Sequence, residues 1–218
     1  MDGTMRISTL ALVALVVTSC VPRVERPEVW LAGARLSSLG LSGGVDSSVC
    51  AALAVRALGP GRVFGLMMPE RDSDPESLEL GGSWARELGI EHAVEDIGPT
   101  LEALGCYARR DEAVRSVVPE YGAGWACKVG LPTERLAGNR LSVTQLTVRD
   151  PSGEERQVRL SPDAYRRIVA ATNFKQRVRK MLEYHHADRL HYAVVGTPNR
   201  LEYDQGFFVK LGDGAADL

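Results

Sequence analysis

The sequence predicts an α/β protein built on an open parallel sheet with helices on both faces. Three stretches carry that expectation. Ser47–Leu58 (SSVCAALAVRAL) has helical spacing and stops at Gly59-Pro60-Gly61. Val63–Met68 (VFGLMM) is a short unbroken apolar run, the pattern of a strand buried on both faces. Glu76–Leu88 reads as a second helix, closed by Gly89. Strands and helices alternating through tight connections give parallel pairing. The 218 residues suffice for one sizeable core.

Taken in order, residues 1–35 form an atypical N-terminal segment. Leu10–Val17 (LALVALVV) is apolar and follows Arg6, and Val17-Thr18-Ser19-Cys20 resembles a lipoprotein cleavage box. The run is too short to span a bilayer. Read as a leader it implies export; otherwise it is a helix packed on the domain, or sequence foreign to the fold. Leu36–Leu41 makes a poor first strand, with Ser37 and Ser38 where β-branched residues belong. The region of about 106–162 reads as an insertion carrying a β-hairpin. There Val143, Leu146 and Val148 precede the turn Asp150-Pro151-Ser152-Gly153, and Val158 and Leu160 follow it. A long helix opens at Pro162-Asp163 and runs to about His186, and His191–Val195 (HYAVV) is a buried strand ending at Gly196-Thr197.

Composition is 44% hydrophobic and 25% charged, with a formal net charge of −2. That balance gives no nucleic-acid footprint. Cys20, Cys50, Cys106 and Cys127 are scattered without a CxxC pair, so neither a zinc site nor a disulfide framework is indicated. Reduced thiols and a cytoplasmic setting are expected.

The chemistry concentrates in Gly40-Leu41-Ser42-Gly43-Gly44-Val45-Asp46-Ser47-Ser48. A glycine-rich turn leaving a strand and entering a helix points several backbone N–H groups at one spot, to which the helix dipole adds positive charge. Gly43 and Gly44 would let an anion approach, Ser42, Ser47 and Ser48 could donate hydroxyls, and Asp46 could hold Mg²⁺ against a pyrophosphate. GxxxxGK[ST] is absent, so this is no Walker A loop. Gly40-Leu41-Ser42-Gly43-Gly44 also fits G-x-S-x-G, which would make Ser42 a hydrolase nucleophile served by His92, His185, His186 or His191. A purely structural turn is the third reading.

On the long helix, Asn173, Arg177, Lys180 and Tyr184 follow a 4-3-4 spacing and so share a face, with Phe174, Val178, Met181 and Leu182 as the opposite apolar stripe. A basic face bearing an amide suits a dianionic dinucleotide; a solvated charged face is the plain alternative. Asp46 and Glu202 both follow sheet strands, so both could meet at the carboxyl edge of one parallel sheet.

Ser42-Gly43-Gly44-Val45-Asp46-Ser47 resembles the loop of the PP-loop ATP pyrophosphatases, which cleave ATP between the α and β phosphates. Asn173-Phe174-Lys175-Gln176-Arg177-Val178-Arg179-Lys180-Met181 is similar to the N-x-K-x-R-x-R-x-M segment of NAD synthetases. Gly196-Thr197-Pro198-Asn199-Arg200-Leu201-Glu202 and the run from Gly206 to Asp217 (GFFVKLGDGAAD) resemble two further blocks of that family. The resemblance is firm over 39–66 and 163–218. It implies the adenine nucleotide alpha hydrolase-like, Rossmann-like fold over 36–218. It further implies ATP on Gly40, Leu41, Ser42, Gly43, Gly44, Val45, Asp46, Ser47 and Thr197. Mg²⁺ would sit on Asp46 and Glu202, and nicotinic acid adenine dinucleotide on Asn173, Arg177, Lys210 and Asp217.

The reaction so implied amidates that dinucleotide to NAD through an acyl-adenylate, using ammonia that is free or delivered by a separate glutaminase, in a homodimer, with no nucleic acid or membrane involved. Another PP-loop amide-forming ligase and an inactive nucleotide-binding remnant are the alternatives. The family continues beyond the block that ends at Asp217, and Met1–Ser38 fits its usual start poorly. A C-terminally truncated or frame-disrupted reading frame is therefore expected.

Overall fold

The computed structural model describes residues 35–36, 39–130 and 144–218. The N-terminal apolar run lies outside the described residues. The chain divides into two compact units, one comprising the described residues as far as Gly98 with Gln176–Leu218, the other Pro99–Lys175.

The first unit contains the parallel sheet. Strands β1 (Arg35–Leu36) and β2 (Leu39–Gly40) come from one stretch of chain and feed two ladders. The helix α1 (Val45–Leu58) leads from β2 to β3 (Phe64–Met67), and α2 (Pro75–Leu88) leads on to β4 (Glu91–Val94). β2, β3 and β4 pair in that order, all parallel, with Leu39 opposite Gly65 and Phe64 opposite Glu91. All four residues of β3 are buried, as its unbroken apolar sequence requires. β4 divides evenly between polar and apolar residues and stays partly exposed, which is why no apolar pattern announces it.

α1 is closed by Gly59 at φ 86°, where a side chain would be strained, and Pro60 follows. α2 starts on Asp74, whose carboxylate accepts from the Glu76 N–H at 3.0 Å, with Pro75 in the first turn. Its Gly81 allows a close approach to the sheet: a β-carbon there would stand 3.1 Å from the Leu41 carbonyl and 3.2 Å from the Met67 sulfur. Leu41, Ala51, Val63, Met67, Ala85 and Ile90 form the core between these elements, and the Trp84 indole N–H donates to the Ser48 carbonyl at 3.0 Å, tying α2 to α1.

The second unit includes α3 (Gly98–Ala103, from Pro99 onward), α4 (Cys106–Arg115), β5 (Ala126–Gly130), β6 (Gln145–Arg149) and β7 (Glu155–Arg159). The expected hairpin is β6–β7. Its turn is held by Asp150, whose carboxylate accepts from the Ser152 N–H and hydroxyl and the Glu154 N–H, with Gly153 at φ 91°. β5 widens it to three antiparallel strands. Leu146 and Val148 pack with Val114, Val118 and Ile168 beneath this sheet.

The long helix α5 (Pro162–Leu190) begins in the second unit and ends in the first, continuing past the expected stop near His186. β8 (Tyr192–Ala193) then pairs with β1 in parallel, and α6 (Arg200–Asp204) follows. The apolar stripe expected on α5 is corrected at Met181, which is 59% exposed. Lys180, on the expected polar face, is 6% exposed. Its burial is compensated by pairing with Glu183. No described helix is long and apolar enough to cross a membrane.

Candidate active site

β2 delivers the chain to the carboxyl edge of the parallel sheet, where the glycine loop begins. Gly43 turns the backbone at φ 72°, and Gly44 serves as N-cap of α1 without offering any side-chain acceptor. The first N–H groups of a 14-residue helix are thus left without a cap at its mouth. The serines brace the loop. Ser47 Oγ donates to the Gly44 carbonyl at 3.1 Å and Ser48 Oγ to the same oxygen at 2.8 Å, while the Gly44 N–H points to Ser42 Oγ at 3.3 Å. Ser42 and Ser47 hydroxyls stand 3.2 Å apart.

A cavity of about 390 Å³ opens beside this loop. Of the residues expected to hold the nucleotide, Gly40, Leu41, Ser42, Gly44, Asp46, Ser47 and Thr197 line it, and so does Glu202. Gly43 faces a smaller neighbouring pocket with Leu80 and Trp84, and Val45 is 78% exposed on the outside of the loop. Thr197 arrives through the turn after β8. Glu202 is fixed by a capping box: the Asn199 side chain accepts from the Glu202 N–H at 3.0 Å and Glu202 Oε2 accepts from the Asn199 N–H at 2.9 Å. The Asp46 carboxylate has no hydrogen bond among the described residues, and its negative charge, after burial, helps push the Cys50 thiol up.

The four residues expected to hold the acceptor are not gathered here. Arg177 is exposed and donates through Nε to the Lys210 carbonyl at 3.2 Å, so those two adjoin. Asp217 is used internally, accepting from the Val194 N–H at 2.9 Å and the Tyr184 hydroxyl at 3.3 Å. Burial and the Asp217 charge push the Tyr184 hydroxyl up to about 12. Asn173 belongs to the other unit. None of the chain's histidines lines the cavity, which leaves Ser42 without the base that a hydrolase nucleophile needs.

Gln176, Lys180 and Glu183 line the cavity from α5, and Asp213 joins them; Lys180 is on the expected polar face, whereas the sequence assigns no role to Gln176, Glu183 or Asp213. The 4-3 spacing of the three α5 residues was a usable signal that they share one face. Burial pushes the Glu183 carboxyl up, against the pull of Lys180 and Arg179. A raised folded pKa means the folded state binds more protons, so this group's contribution is present in full at low pH and declines as pH rises from about 4.5 through the raised value. Melting curves should show that decline, and Glu183→Gln should flatten it; an unchanged slope would rule Glu183 out as its source.

The fold and the loop define an α/β protein with a glycine loop at the carboxyl edge of a parallel sheet. The NAD synthase family profile matches residues 24–118 and 141–218, and the chain belongs to that family. It is 63% identical over 180 residues to the NH(3)-dependent NAD(+) synthetase of Mesorhizobium japonicum, covering 83% of this chain and 56% of that one. It is 36% identical to the protein of that name from Thermotoga maritima, covering 83% and 58%. Among solved structures, NMN synthetase from Francisella tularensis superposes with a TM-score of 0.55 at 24% identity, over 99% of this chain and 63% of that one, a likeness of fold. The chain thus spans about half the length of the curated relatives it matches.

Proposed function

We propose that this protein carries out ATP-dependent amidation of nicotinic acid adenine dinucleotide to NAD, with ammonia as the nitrogen donor and AMP and pyrophosphate as products. The observation that supports it most is the shared cavity: a braced glycine loop at the sheet edge, with Thr197 and the carboxylates of Asp46 and Glu202 in the same wall. The names of the relatives favour ammonia over other nitrogen sources.

A carboxylate is a poor acyl donor, so the nicotinate carboxylate first attacks the α-phosphorus of ATP. Pyrophosphate leaves, and ammonia then displaces AMP from the acyl-adenylate. The protein's work is positioning and electrostatics. Loop N–H groups and the α1 N-terminus hold the β and γ phosphates where negative charge accumulates.

Mg²⁺ fits the donor set. Asp46 has a carboxylate that no described residue occupies, and Glu202 spends one oxygen on its cap and keeps the other. Among the described residues no group of three or more His, Cys, Asp and Glu could hold a metal alone, so the remaining ligands would be phosphate oxygens and water, the usual habit of this ion. When bound, it supplies charge neutralisation to the departing pyrophosphate. Asp46 and Glu202 are its proposed ligands. Arg177, Lys210 and Asp217 are the proposed acceptor residues, in a cytoplasmic homodimer whose synthetase domain spans 36–218.

The test is product analysis with ATP, Mg²⁺, ammonium and the deamido-dinucleotide. Equal amounts of AMP, pyrophosphate and NAD are expected, with ammonium and not with glutamine. ADP and phosphate as products, or AMP release independent of the acceptor, would refute the reading.

A further inference from the structure

Two charged groups, Lys180 and Glu183, are buried in the cavity wall. They are each 6% exposed, three residues apart on α5, with Lys180 Nζ 2.6 Å from Glu183 Oε2. The other Glu183 oxygen lies against the exit of β2, since a β-carbon built on Gly40 would stand 3.1 Å from Oε1. Glu183 is therefore wedged between the first residue of the glycine loop and the lysine. Taking two charges out of water costs more than their attraction returns unless the remaining hydrogen-bonding capacity is used. A lysine ammonium carries three donors, and among the described residues Glu183 is the one hydrogen-bond partner it has. Two N–H groups of a buried cation are thus left over in the wall of a cavity.

We propose that Lys180 donates to a phosphate oxygen of the bound nucleoside triphosphate and that Glu183 is the positioning residue that holds the ammonium for it, an inference that rests on the ATP-binding reading of this cavity. The phosphate is favoured over the acceptor's carboxylate by location. Lys180 shares its wall with Gly44, Asp46 and Ser47, whereas Arg177, Lys210 and Asp217 do not line it. The pairing also explains why a lysine can be buried there at all: Glu183 compensates the charge before the nucleotide arrives, and the triphosphate satisfies the rest.

The test compares ATP and adenosine binding by calorimetry in the unaltered protein, in Lys180→Met/Glu183→Leu and in Glu183→Gln. Replacing both partners by apolar side chains preserves or raises stability, so the double variant should melt no lower than the unaltered protein. It should nonetheless bind ATP about ten- to a hundredfold more weakly, the loss of a charge-assisted hydrogen bond, with adenosine affinity unchanged. A stable double variant that binds ATP as the unaltered protein does would show that the pair is structural, and the proposal would fall. Glu183→Gln keeps the shape and an acceptor oxygen but removes a negative charge near the phosphates, so ATP should bind several-fold more tightly. Unchanged or weaker ATP binding by this variant also overturns the proposal, whether or not the double variant folds. If the unaltered protein binds neither ATP nor adenosine, the nucleotide reading itself fails and takes this inference with it.

Discussion

Asp46→Ala should reduce formation of AMP and NAD by about a thousandfold or more, while the protein melts at an unchanged temperature. The size follows from what the carboxylate is proposed to do. One preorganised electrostatic contact at a developing charge is worth about 10²–10³ in rate, and loss of a metal ligand also misplaces the ion that neutralises the leaving pyrophosphate. Stability should not follow, because Asp46 is exposed in the first turn of α1 and braces nothing among the described residues. Its favourable interaction with the helix dipole is worth less than about 1 kcal/mol. Glu202→Ala offers the contrast: it removes the second proposed ligand and also breaks the capping box of α6, which costs about 1 kcal/mol locally. Rates of NAD formation beside thermal melts separate the two. An Asp46→Ala protein that turns over at an undiminished rate would refute the metal-ligand assignment.

Gly43→Ala should damage both fold and activity, and more than Gly44→Ala damages the fold. Gly43 sits at φ 72°, where a β-carbon costs about 1–2 kcal/mol. The new carbon would also stand 2.9 Å from the Ser77 carbonyl oxygen and 3.1 Å from Leu80 Cβ. The first of these is backbone, and the second is fixed to it, so neither yields by a rotamer change. Either α2 moves or the loop does, and the loop carries the N–H groups proposed to hold the phosphates. A drop of about 2–3 kcal/mol in unfolding free energy is expected, together with a loss of at least tenfold in ATP affinity, since each misplaced charge-assisted hydrogen bond costs about 1.5–3 kcal/mol. At Gly44, with φ −78°, the nearest atom to an added β-carbon is the Ser42 hydroxyl at 3.2 Å, a side chain that can turn away. Urea unfolding of the two variants would show the difference; equal destabilisation would argue against the steric account.

What could be read from the sequence was what local chemistry dictates. The buried strand β3 was legible because a doubly covered parallel strand is apolar throughout, and α1 and α2 because glycines mark their ends. The loop was legible as a glycine-rich turn from strand to helix, because Gly43 and Gly44 stand directly before the helical run. Asp46 and Glu202 could be placed on one sheet edge because both follow strands, and they do line one cavity. What escaped was decided by partners distant in sequence or by exposure. β5 and β4 lack an apolar run because much of each faces solvent. The burial of Lys180 and Glu183 could not be seen, because a charged pair three residues apart on a helix reads as a surface salt bridge. Asp217 reads as a ligand-binding acid in the family's block, yet its carboxylate is engaged by Val194 and Tyr184, a contact set by the return of the chain to β8.

If the glycine loop grips a triphosphate while Asp46 and Glu202 share a divalent ion beside it, crystals grown with Mn²⁺ and the α,β-methylene analogue of ATP should reveal the arrangement by manganese anomalous scattering. One manganese peak bonded to both carboxylates and to phosphate oxygens is expected, with the remaining phosphate oxygens on the N–H groups of residues 43–47. Manganese bound to neither carboxylate, or the triphosphate seated away from the loop, would contradict that arrangement.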